Sequence, residues 1–320
     1  MAVLKALLLL IIGFVLLVKA SDLFVDAISS IATNFKMSKM MIALTVAAFG
    51  TCTPELAISF QSVSSGAGDI ALSNVIGSNV VNILLIIGLA AIVAPIKVKS
   101  NVIKKELPIL LMVTTMFALS ISTHLFGYPG NDFILDRQDG IIFLCFFAMF
   151  IFYIISVVKA KKGVLEGAKP KYSMFKSIVI AFLCCIVVIV SSDIVVENAQ
   201  VLATLLGVGT KIITMTVVVI GTSLPEMTMT VVAAKKGEFD IAIGNIIGTN
   251  IFNIGVVLGL PLVIYGGFVS PSFSLVDVIA VFLAAILLYL FARNDRVLSK
   301  LEGAIMITIF VLYYAYVFAF

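Results

Sequence analysis

Apolar residues run along this chain in long blocks separated by short polar breaks. A block of about 20 residues crosses a bilayer's hydrocarbon core of roughly 30 Å as a helix. Ten such blocks are read: 2–20, 39–61, 70–94, 103–124, 139–159, 174–192, 211–234, 240–264, 275–293 and 299–319. The first and sixth helices are expected to run on beyond their apolar blocks, to about 33 and 205. The longest polar connection, about 160–173, is too brief to hold a domain. The pattern predicts an all-α polytopic membrane protein with ten transmembrane helices and no soluble regulatory domain.

Composition narrows the class. The 320 residues are 62% hydrophobic and 12% charged, and mean hydropathy is +1.24. A typical globular domain is about 45–50% apolar and about 25% charged. An ordinary soluble enzyme, a disordered chain and a DNA-binding domain are excluded. The four cysteines, Cys52, Cys145, Cys184 and Cys185, lie in apolar stretches without CxxC spacing, so neither a disulfide framework nor a zinc site is expected. The single histidine, His124, cannot build a histidine-rich metal site. Lys5, the following apolar run and Val18-Lys19-Ala20 have the outline of a signal peptide. The repeat described below argues against cleavage there.

The net charge of +4 is a topology signal rather than a nucleic-acid signal. Seventeen of the 21 basic residues fall in connections on one side: Lys36, Lys39, Lys97, Lys99, Lys104, Lys105, Lys159, Lys161, Lys162, Lys169, Lys171, Lys176, Lys235, Lys236, Arg293, Arg296 and Lys300. Three, Lys5, Arg137 and Lys211, fall on the other, and Lys19 lies near the basic-side end of the first block. Basic loops face the cytoplasm. Both termini are therefore expected outside the cytoplasm of a cell-membrane protein, and anionic lipid accounts for the charge.

The two halves repeat at a constant offset. Asp22, Gly50, Thr51, Pro54 and Glu55 match Asp193, Gly221, Thr222, Pro225 and Glu226, each 171 residues on. Asp69, Asn74, Asn79 and Asn82 match Asp240, Asn245, Asn250 and Asn253, and 69–89 shares 11 of 21 identities with 240–260 without a gap. Each copy holds five spans. Five is odd, so the second copy enters from the opposite side, giving an inverted 5+5 repeat. Secondary transporters of that construction bind their cargo near the midplane, at the repeat interface. The expected organisation is a first five-helix repeat at 1–160, a cytoplasmic linker at 161–173 and an inverted repeat at 174–320. Removing the first span as a signal peptide would destroy its pairing with the sixth.

The second and seventh spans carry the chemistry. They read Gly50-Thr51-Cys52-Thr53-Pro54-Glu55 and Gly221-Thr222-Ser223-Leu224-Pro225-Glu226. Proline lacks an N–H and displaces the carbonyl four residues back, freeing carbonyls near Gly50/Thr51 and Gly221/Thr222. Non-helical backbone at membrane depth survives only where something polar satisfies it. Carbonyl, hydroxyl and carboxylate oxygens together are hard ligands, suited to a cation such as Ca²⁺, which takes 6–8 oxygens. A mid-membrane carboxylate is costly, and Glu55 and Glu226 incur that cost twice, in matching places. The bland alternative is a pair of protonated glutamates bonded to the helix breaks.

Three further features carry polar groups. In the third and eighth spans, Ser78/Asn82 and Thr249/Asn253 are four apart and share a helix face. They face the glutamates as ligands or serve as interhelical hydrogen-bond glue, while Gly77 and Gly248 permit close packing. Asp22/Asp26 and Asp193/Glu197 read as hydrated helix ends, with an ion entry path as the sharper alternative. Gly66-Ala67-Gly68-Asp69 fits the GxGD pattern of intramembrane aspartyl proteases. It lies between spans, and no Tyr-Asp companion exists in the chain.

At these residues the sequence resembles the calcium/cation antiporter superfamily, most closely its prokaryotic sodium/calcium exchangers. The paired Gly-Thr-x-x-Pro-Glu and Gly-(Ser/Thr)-Asn-x-x-Asn motifs look like its two alpha-repeats, and the likeness covers essentially the whole chain. Proton/calcium exchangers of the superfamily usually carry Gly-Asn-x-x-Glu instead. The resemblance implies an antiporter that exports Ca²⁺ against inward Na⁺, both ions competing for one site. It implies Ca²⁺ held by Glu55, Glu226 and the carbonyls of Thr51 and Thr222. It implies Na⁺ sites at Ala48, Ser78, Val219, Ser223, Thr249, Asn82 and Asn253, and long first and sixth helices that slide across an eight-helix core.

Two positions depart from its relatives. Asn253 stands where the potassium-dependent branch carries Asp, which implies no K⁺ transport. It also leaves two carboxylates, which one Ca²⁺ would balance. Cys52 stands where the family commonly has Ser, and sulfur is a poor partner for hard ions. No cofactor, nucleic acid or obligate protein partner is expected. Besides Na⁺/Ca²⁺ exchange, a Ca²⁺/H⁺ antiporter on the same glutamates and, more remotely, a cation channel or the protease at Asp69 remain as alternatives.

Overall fold

The computed structural model describes residues 2–121, 133–160, 170–205, 219–270 and 275–319. His124, Lys211 and most of the expected linker lie outside them. The described chain is almost wholly helical. In order the helices are α1 (Ala2–Asn34), α2 (Lys39–Thr51), α3 (Thr53–Ser64), α4 (Gly68–Val93), α5 (102–121) and α6 (Arg137–Ala160). The second half supplies α7 (Met174–Leu205), α8 (Val219–Thr222), α9 (Leu224–Lys235), α10 (Phe239–Tyr265), α11 (Leu275–Asn294) and α12 (Lys300–Ala319). Among the described residues, seven helices are long and apolar enough to cross a membrane, and eight if α2 and α3 form one bent span. The two other expected spans, 103–124 and 211–234, overlap α5 and α8 with α9, which do not meet that measure among the described residues. Residues 206–218, which would lead into α8, lie outside the described set.

The first and sixth helices do run past their apolar blocks, to Asn34 and Leu205. They pack along each other more extensively than any other pair. Gly13 allows this approach: a Cβ there would come within 2.8 Å of Val195. Leu17 and Ala20 of α1 bury against Val188 and Val195 of α7 and Leu224 of α9. The outer surfaces of the bundle are apolar, with Phe152, Phe175 and Leu301 among the most exposed side chains. Such a surface belongs in lipid, where no hydrophobic penalty attaches to it. At the centre stand α4 and α10, the most enclosed of the long helices.

Two short antiparallel pairings join the halves. β1 (Ile96–Lys97) pairs with β4 (Val297–Leu298), and β2 (Phe133–Leu135) pairs with β3 (Phe268–Ser270). Each couples a connection of the first half to one of the second. The charge pattern assigns 96–97 and 297–298 to the same basic side, and 133–135 and 268–270 together to the other. The pairing joins the loops that were expected to share a side.

Candidate ion-binding site

Both proline motifs break their spans. α2 stops at Thr51, Cys52 takes φ −78° and ψ 4°, and α3 resumes at Thr53 after a 50° bend. Ser223, between α8 and α9, has nearly the same conformation, φ −88° and ψ 7°. Pro54 and Pro225 sit at the second position of the new helix, where a missing N–H costs nothing. The carbonyls exposed by the breaks are partly answered by side chains. Gly50 accepts from the Thr53 hydroxyl at 3.1 Å and the Cys185 thiol at 3.3 Å, and Gly221 accepts from the Ser192 hydroxyl at 3.2 Å. Cys185 and Ser192 lie two turns apart on α7, so one long helix touches both breaks.

Each break turns its glutamate into the protein. Glu55 is 1% exposed and Glu226 is fully buried. They lie within electrostatic reach of each other, and the Thr51 side chain sits beside Glu226. Thr51 also donates to the carbonyls of Ala47 and Ala48, both at 3.3 Å. Ala48 is buried, with its carbonyl further bonded to the Cys52 N–H at 3.1 Å. Thr222 is half-buried at the end of α8, and Val219 opens the same short helix.

The asparagines bind the halves symmetrically. Asn82 Nδ2 donates to Asn250 Oδ1, and Asn253 Nδ2 donates to Asn79 Oδ1, both at 3.1 Å. Asn74 donates to Ser59 Oγ and to the Glu55 carbonyl, and Asn245 donates to Thr230 Oγ1. Ser59 and Thr230 escaped the motif-based reading. They too are separated by the 171-residue offset, so a position-by-position comparison would have found them. π-helical turns at Val81–Ile87 and Asn253–Leu258 widen α4 and α10 where Asn82 and Asn253 stand. π-turns inside helices occur often at functional sites, and no sequence feature announced these. Gly248 lets α10 close on α2, since a Cβ there would meet the Leu44 carbonyl at 2.6 Å. The segment that would face Gly77 by the same symmetry lies outside the described residues.

The unsatisfied groups are the decisive feature. Buried polar atoms normally find hydrogen-bond partners. Among the described residues, the buried side-chain oxygens that find none belong to Glu55, Glu226, Ser78, Ser223, Thr249, Asn82 and Asn253, with Glu106 and Asn245 the two additions. Seven of the residues named from sequence thus supply acceptor oxygens from both halves. The other Glu106 oxygen accepts from the Tyr153 hydroxyl at 2.6 Å, linking α5 to α6.

The acidic helix ends behave differently on the two halves. Asp26 pairs with Lys171 at 2.6 Å and Lys236 at 2.7 Å, and Lys236 also reaches Asp22 at 3.0 Å. Asp193 and Glu197 are exposed. Asp69 opens the first turn of α4, remote in sequence from any second aspartate of protease type.

The family described as Sodium/calcium exchanger protein matches residues 5–156 and 176–319. Sodium/calcium exchanger MaX1 of Methanosarcina acetivorans is 31% identical, the match covering 97% of this chain and 98% of that protein. Inner membrane protein YrbG of Escherichia coli is 33% identical over 82% of this chain and 81% of its own length. A solved structure of the sodium-calcium exchanger NCX_Mj, soaked with Na⁺ and Sr²⁺, superposes with a TM-score of 0.81 at 31% identity over 97% of both chains. With the fold, the inverted halves and the sequence match all in agreement, the chain belongs to the sodium/calcium exchanger family of multi-pass membrane transporters.

Proposed function

We propose that this protein exchanges Ca²⁺ for Na⁺ across the cell membrane by alternating access, at a midplane site built on Glu55 and Glu226. One observation carries the reading: two buried carboxylates and five neutral side chains, drawn from both halves, leave their oxygens without hydrogen bonds. That donor set is all oxygen, as Ca²⁺ and Na⁺ require. The Thr51 and Thr222 carbonyls complete the Ca²⁺ site, and Ser78, Ser223, Thr249, Asn82, Asn253, Ala48 and Val219 serve Na⁺. Sharing the glutamates makes the ions mutually exclusive, so each crosses when the other leaves. The division into repeats at 1–160 and 174–320 around a cytoplasmic linker at 161–173, with both termini outside, belongs to the same proposal.

Family membership favours Na⁺ over H⁺ as the coupling ion. Proteoliposomes loaded with Ca²⁺ and given a Na⁺ gradient should release it, and a pH gradient alone should not. Release driven only by the pH gradient would reject sodium coupling, and release under neither would point to a channel. Glu55→Gln and Glu226→Gln should each abolish exchange while the protein still inserts. Normal transport in either variant would remove this site.

A further inference from the structure

The two helix breaks repeat each other, yet they differ at a side chain inside the site: Cys52 stands in the first where Ser223 stands in the second. Each residue is the N-cap of the helix that follows, and neither side chain caps it. An N-cap hydroxyl ordinarily accepts from the second or third N–H of its helix. The Ser223 hydroxyl is instead buried without a partner. Cys52 is fully buried and three residues before Glu55 on the same turn. Its backbone conformation nearly matches that of Ser223, so by the repeat its thiol takes in the first half the place that the unpartnered Ser223 hydroxyl holds in the second. Glu55, Glu226 and Thr249 all hold buried, unpartnered oxygens. One soft sulfur therefore borders a set of hard oxygens.

We propose that Cys52 is a specificity-determining ligand that makes this site prefer thiophilic divalent cations, represented by Cd²⁺, relative to Ca²⁺. The inference rests on the glutamate site proposed above. Soft thiolate ligands select soft metals, whereas carboxylate and carbonyl oxygens suit Ca²⁺. Cd²⁺ keeps the carboxylates and adds a Cd–S bond, the S–H proton leaving to water as that bond forms. Ca²⁺ gains nothing from the sulfur. The same exchange of oxygen for sulfur leaves the two halves of the site chemically unequal despite their symmetric backbone.

The test uses full-length protein in which Cys145, Cys184 and Cys185 are replaced by Ala, so that Cys52 is the only thiol. Cd²⁺ is titrated in while the ultraviolet sulfur-to-cadmium charge-transfer band is followed, and Ca²⁺ is then added as competitor. The band should form, Ca²⁺ should displace it, and Cys52→Ser should lack it. The ratio of Cd²⁺ to Ca²⁺ affinity, measured by calorimetry, should fall about tenfold or more in Cys52→Ser and rise in Ser223→Cys. No band before substitution, a band that survives Cys52→Ser, or an unchanged affinity ratio overturns the inference. Should Cys52→Ser fail to stay monodisperse, Ser223→Cys decides alone, and an unchanged ratio there overturns it. Ca²⁺ competing with Cd²⁺ equally well with and without the thiol removes only the role of sulfur. A Cys52-dependent band that forms with unchanged Cd²⁺ affinity in both Glu55→Gln and Glu226→Gln removes the glutamate site as well.

Discussion

Asn82 and Asn253 each give an N–H to the opposite half and leave Oδ1 open, so one residue both ties the repeats and offers a donor to the site. Their acceptors, Asn250 and Asn79, hold them in that orientation. Asn79→Ala or Asn250→Ala strands a buried amide, and a lost buried partner costs about 1–3 kcal/mol. Thermal unfolding in detergent should show lowered midpoints of similar size for the two variants, as their symmetry requires. Asp69→Asn should keep Na⁺-driven Ca²⁺ release largely intact, because Asp69 starts a helix outside the cluster; a vesicle flux assay checks it. At this scale the glutamates and their hydroxyl neighbours were legible from two matching motifs. The partners Ser59 and Thr230 were not, since a lone Ser or Thr carries no motif of its own.

Among the elements, the bends of the second and seventh spans were readable because proline acts locally, whatever surrounds it. The π-turns in α4 and α10 were not, because they depend on what the helix packs against. Packing also governs Gly248. Gly248→Ala would drive a methyl into the Leu44 backbone, and overpacking typically costs about 1–3 kcal/mol. Reduced thermal stability with correct membrane insertion is the expected result. The ion pairs of Lys236 with Asp22 and Asp26 fasten the C-terminal half of α1 to the end of α9. Partly exposed pairs contribute about 0–1 kcal/mol. Lys236→Met should therefore leave the overall unfolding midpoint nearly unchanged and speed hydrogen exchange in the last turns of α1. The reading of Asp22 and Asp26 as simply hydrated helix ends misses these pairs, since Lys171 and Lys236 are remote in sequence.

The whole molecule is held as two halves by cross-repeat contacts at its ends and at its centre. β1 with β4 and β2 with β3 close the ends, while the asparagine bonds and Gly248 close the centre. Sidedness is testable at the same scale. Ile134 and Asp295 are exposed next to the opposite pairings. A membrane-impermeant maleimide added to intact cells should label Ile134→Cys above the background of the unsubstituted chain and leave Asp295→Cys unlabelled until the membrane is opened. The reverse pattern would invert the proposed topology.

The sequence by itself determined the membrane class, the long first and sixth helices, the inverted repeat and the proline-glutamate pairs. These follow from apolar length, from charge asymmetry, from parity of five spans and from proline's missing N–H, all of which act along the chain. Only the tertiary structure decided that oxygens from Glu55, Glu226, Ser78, Ser223, Thr249, Asn82 and Asn253 remain unpaired, and that Asn79 and Asn250 orient the asparagines. Whether a buried oxygen is satisfied depends on atoms brought in from the other half of the chain, which no local pattern encodes.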